Sequence, residues 1–135
     1  MRRLGLALML LGAPIKAGTL AVMCQSEGIP LTVSPFGGLC EVGDRLFLEV
    51  KAPGKRWIAL AATGENGTAR WFFTGKPLPE AGFVAGPTLE EATGETLLYV
   101  VVSDRPLDQR EVREVLKNGR DGALLLKQKI LIITG

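Results

Sequence analysis

The chain has no histidine and only two cysteines among its 135 residues. Without His, no Ser-His-Asp or Cys-His arrangement, imidazole metal site or imidazole acid–base pair can form. Two thiols fall short of a four-thiolate zinc site. Neither sign of charge dominates, since 16 Lys and Arg face 14 Asp and Glu. The chain therefore lacks the basic footprint of a nucleic-acid binder, and no nucleic-acid partner is expected. Cofactor and metal motifs are missing too. Gly37-Gly38 lacks the Lys and the following helix of a phosphate loop. Asp104, Asp108 and Asp121 lack calcium-loop spacing. Ser26, Ser34 and Ser103 have no G-x-S-x-G elbow. We expect no cofactor and no catalytic residues. The acids Glu41, Asp44, Glu90, Glu91 and Asp104 are not paired by spacing and read as solvated turn positions.

What is present describes a folded body behind an address. A hydrophobic content of 47% beside 22% charged residues argues against disorder. The length fits one domain. Residues 1–18, MRRLGLALMLLGAPIKAG, begin with Arg2 and Arg3, continue with an apolar run from Leu4 to Pro14, and end in small residues. This is the layout of a secretory signal peptide, and the run is too short to span a membrane. Cleavage is expected between residues 14 and 24, leaving residues 19–135 as a single domain. Losing residues 1–17 removes three cations and no acid, so the net charge moves from +2 to −1. We expect a periplasmic or extracellular protein with no membrane span in its mature chain.

Export gives Cys24 and Cys40 an oxidising compartment in which to pair. Closing a loop of this size is worth about 3 kcal/mol in the chain-entropy model. Two free thiols, or a lipid on Cys24 after Leu20-Ala21-Val22-Met23, are the alternatives.

The body reads as short strands between turns. Extended segments are expected at Thr19–Met23, Pro30–Val33, Arg45–Lys51, Arg56–Thr63, Thr68–Phe73 and Glu95–Ser103. A final strand is expected at Leu124–Thr134, paired beside the apolar run 97–102. Residues 74–94 read as mostly irregular, with a short strand at Gly82–Ala85. Asp108-Gln109-Arg110-Glu111 forms a capping box, Val112, Val115 and Leu116 an apolar stripe, and Asn118-Gly119 a stop, which together predict one helix. The expected fold is a mostly β, antiparallel β-sandwich of about seven strands with one short helix in the C-terminal half.

Asn66-Gly67 between two apolar runs is a strong hairpin signal, and Asn66-Gly67-Thr68 also fits a glycosylation acceptor. A loop of two or four residues would pair residues of opposite parity. One face would then carry Ile58, Leu60, Trp71 and Phe73, the other Trp57, Ala59, Ala61, Arg70 and Phe72. The second face is either ordinary core or a platform on which Trp57, Arg70 and Phe72 meet a partner.

Several segments together resemble a known family. They are Cys40-Glu41-Val42-Gly43-Asp44 at a strand entry, the hairpin from Arg56 to Phe73, the Thr93-Gly94-Glu95 turn before Leu97–Ser103, and Arg105-Pro106-Leu107 before a short helix. They resemble, over about residues 19–120, an uncharacterised family of secreted or envelope β-sandwich domains common in myxobacteria and their relatives. Phe72-Phe73-Thr74-Gly75 departs from that family, in which Pro more often follows the aromatic. The resemblance implies export and a sandwich, and supplies no catalytic residues. The function expected is a non-enzymatic binding or envelope-complex subunit contacting a protein in the cell envelope. Alternatives are a carbohydrate-binding module using Trp57, Phe72 and Tyr99 on a glycan, or a small carboxylate-dependent hydrolase.

Overall fold

The computed structural model describes residues 18–26, 29–33, 39–65, 67, 69–90 and 94–133. Residues 1–17 of the expected signal peptide and both Asn66 and Thr68 of the glycosylation motif lie outside them. The described chain forms nine strands and one helix. The strands are β1 (Thr19–Ser26), β2 (Ile29–Val33), β3 (Leu39–Glu41), β4 (Arg45–Lys51), β5 (Trp57–Thr63), β6 (Ala69–Pro77), β7 (Phe83–Thr88), β8 (Gly94–Ser103) and β9 (Ala123–Ile133). Helix α1 (Gln109–Asn118) joins β8 to β9.

Alternation builds two sheets, ordered β2-β1-β4-β7 and β3-β9-β8-β5-β6. Between them lies one core. Val22 and Cys24 of β1, Leu46, Leu48 and Val50 of β4 and Val84 of β7 meet Ile58, Leu60 and Ala62 of β5, Leu98, Val100 and Val102 of β8 and Ile130 and Ile132 of β9. Each set is every second residue of its strand, as a half-buried pleat requires. The sandwich and its single helix match the expectation, with two short additions. β3, which the sequence presents only as the entry to β4, pairs in parallel with β9. β7 runs on through Gly86 and Pro87, which an edge strand tolerates because no neighbour needs the missing N–H.

The apolar run of β8 is the middle strand of its sheet and is covered on both sides. Val101 and Ala59 turn away from the main core and pack under Leu107, Val112 and Val115 as a second cluster. The capping box forms as expected. Glu111 N–H donates to Asp108 Oδ1 at 2.8 Å, and Asp108 N–H donates to Glu111 Oε1 at 3.1 Å. Arg105 and Arg120 both reach Glu111 Oε2, at 2.7 and 3.2 Å. The Asp108 N–H and then the Arg105 guanidinium favour the charged carboxylate and lower its pKa from 4.5 to about 2.

Cys24 and Cys40 are disulfide-bonded with Cα atoms 5.8 Å apart, which excludes free thiols and a lipidated Cys24. The bond ties β1 of one sheet to edge strand β3 of the other and is fully buried.

Candidate functional site

The register of the β5–β6 hairpin places every candidate residue, and it differs from the expected one. Thr63 pairs with Ala69, so five residues rather than two or four close the turn. An odd loop pairs residues of equal parity, and Ala61 lies opposite Trp71. Trp71 therefore packs on the helix-side cluster with Ala59, not with Ile58 and Leu60. Two bulges in β6 then shift the pairing to Leu60 with Phe73 and Ile58 with Lys76. The first makes two residues, Phe72 and Phe73, oppose one and sends both rings toward the main core. The second contains Gly75 at φ +61°, a conformation suited to Gly. The proposed pairing of Trp57 with Phe72 on one face is thereby corrected. Trp57 lies opposite Pro77, at least three residues along the strand from the Phe72 bulge, or about 10 Å.

Arg70 and Phe72 do come together. With Ala62, Gly64, Thr88, Leu89, Glu90, Thr96, Leu98 and Ile132 they line a cavity of about 170 Å³ at one end of the sandwich. Three sets of bonds hold its walls. Glu65 accepts from Glu95 N–H at 3.1 Å and fastens the hairpin loop to the start of β8. Leu89 N–H donates to Asp44 O at 2.8 Å, and Gly43 N–H donates to Leu89 O, so the chain after β7 closes over the opening between the sheets. Asp44 is buried and fixes its own turn by accepting from Glu41 N–H at 2.9 Å.

The cavity is apolar except at Arg70, Thr88, Glu90 and Thr96. Thr96 is only 7% exposed, and its Oγ1 is buried with no hydrogen-bond partner among the described residues. Such a hydroxyl costs about 1–3 kcal/mol relative to a satisfied one. Arg70 and Glu90 are exposed at the mouth. Among the described residues the ion pairs are Lys51–Glu49, Arg105–Glu111 and Arg120–Glu111, so both mouth charges are unpaired.

No family model, curated protein or solved structure matches this chain. The site must therefore be read from its own chemistry. Among the described residues no group of three or more Cys, Asp or Glu could hold a metal ion, and no helix is long and apolar enough to cross a membrane.

A second surface was not anticipated. The outer face of the β1–β4–β7 sheet has a shallow apolar depression of about 480 Å³ lined by Met23, Phe47, Phe83 and Ala85, with Gln25 at its side. Phe83 is 56% exposed, and the Arg45 guanidinium lies 5.6 Å from the Phe47 ring centre. The signal for it was the apolar pair Met23 and Phe47, which the register sets opposite each other at outward positions of β1 and β4. The signal for the cavity was weaker: Thr96 is the one polar residue in the inward series Thr96, Leu98, Val100, Val102.

Proposed function

We propose that the chain is an exported, non-enzymatic binding domain that engages a protein partner of the cell envelope at the mouth of the Arg70–Phe72 cavity. The observation that carries this reading is an apolar hollow whose buried hydroxyl and rim cation have no partner among the described residues. Its volume is below the roughly 300–1,000 Å³ of small-molecule pockets. It suits one inserted anchor side chain, the arrangement found at the centre of interface hot spots. The buried disulfide is compatible with export, as is the leader-like N-terminus. The hydrolase alternative receives no support from Glu111, whose pKa is lowered rather than raised.

A photo-crosslinking residue placed at Arg70 in the native host tests the reading. Position 70 should yield one dominant adduct, and the same residue at Lys117, beyond the helix-side cluster, should not. Equal labelling at both positions, or none at Arg70, would remove it. N-terminal sequencing of the same protein checks export, because intact Met1 on the folded protein contradicts a cleaved leader.

The glycan reading moves to the other sheet. Phe47 and Phe83 sit diagonally on neighbouring strands with Gln25 and Arg45 beside them, a flat aromatic surface with polar neighbours. Loss of binding to a glycan array on Phe83→Ala, with Arg70→Glu unaffected, would favour it.

A further inference from the structure

The polar groups of the cavity narrow the chemistry of what enters it. Thr96 offers a buried hydroxyl that no atom of the described residues uses. Arg70 offers a guanidinium at the mouth and Glu90 a carboxylate, neither of them ion-paired among the described residues. Phe72, Leu98 and Ile132 supply apolar wall. An anion with a short apolar branch and a nearby N–H donor would satisfy all of them. β6, which carries Arg70 and Phe72, is an edge strand paired only with β5. Its outer backbone groups meet no other strand among the described residues, so an extended chain leaving the cavity has a partner there.

Building on the reading of this cavity as the binding site, we propose that it captures the C-terminal residue of a partner peptide. The terminal carboxylate accepts from Arg70 and from the Thr96 hydroxyl, which a χ1 rotation turns toward it. The last side chain fills the space against Phe72, Leu98 and Ile132. The amide N–H of that residue donates to Glu90. A free α-amino acid shares this chemistry but not the strand that follows.

The test is a titration of the isotope-labelled full chain, read from backbone amide shifts, with acetyl-Gly-Gly-Leu as the free acid. Saturable shifts should centre on Arg70, Phe72, Thr96 and Leu98. Amidating the terminus, replacing Leu by Gly, or making Arg70→Gln should each weaken binding about tenfold or more. Thr96→Val should weaken binding while leaving the free protein at least as stable, which a purely structural Thr96 would not do. An amide that binds as well as the acid overturns the proposal, as does the absence of saturable shifts at these residues. Free leucine binding as tightly as the peptide overturns the peptide source. Site-specific crosslinking at Arg70 that persists while the peptide acid fails to bind would sink this inference and leave the binding reading standing.

Discussion

Trp71 offers the sharpest test of the hairpin register. Its ring packs on the helix-side cluster with Ala59, Val101, Val112 and Val115, and the Arg113 guanidinium lies 5.7 Å from its centre. Truncating a fully buried Trp to Ala costs about 3–5 kcal/mol. Trp71 is half-buried, so about 2 kcal/mol is expected, including about 0.5 kcal/mol from the exposed Arg113 contact. Partner choice tests the register better than magnitude does. A double-mutant cycle of Trp71→Ala with Val112→Ala should show a coupling of about 0.5–1 kcal/mol, because both line one cluster. The cycle with Leu60→Val should be additive within about 0.5 kcal/mol, because Leu60 faces the opposite side of the sheet. Urea unfolding midpoints with unchanged slopes give the four free energies. Coupling to Leu60 without coupling to Val112 would mean that the hairpin closes with an even loop, and the site geometry built on it would fail.

Three further outcomes are expected. Removing the disulfide by Cys24→Ser with Cys40→Ser should cost about 3 kcal/mol, and alkylation without reductant should label neither thiol of the wild type. Asp108→Ala should cost about 1 kcal/mol in thermal or urea unfolding, since it removes the acceptor for Glu111 N–H. Glu111 has a lowered folded-state pKa, so its contribution is complete above 4.5 and is lost as pH falls toward about 2. A Glu111→Gln protein should therefore show a flatter stability profile across that acid window, and an unchanged profile would contradict the Arg105–Glu111–Arg120 linkage.

Much of the fold was legible because period-two alternation and capping chemistry are local. The strands around Arg45–Lys51 and 95–103 and the helix opened by Asp108 each carry their signal in a few adjacent residues. The disulfide followed from there being only two thiols behind a leader-like N-terminus. The hairpin register did not follow, because Asn66-Gly67 marks a turn without fixing its length, and five residues rather than two reversed the parity. The bulges at Phe72 and Gly75 were equally hidden, since a bulge reflects how an edge strand bends around its neighbours rather than any local pattern. Two of the three site residues chosen from sequence, Arg70 and Phe72, share a wall for a reason other than the one first given. Trp57 does not join them. Leu89 and Thr96 carry no local signal, and Glu90 reads in the sequence only as a solvated turn acid, because their roles depend on chain segments that meet only in the folded protein.

The central claim is that a partner binds at the cavity mouth, and its most direct test is the affinity of the crosslinked partner for the wild type and for Arg70→Glu. Arg70 is exposed and makes no ion pair among the described residues, so the substitution should leave the melting temperature unchanged. Reversing the charge at the rim should weaken binding by about tenfold or more. Equal affinity for the two proteins would place the interface elsewhere and contradict the account.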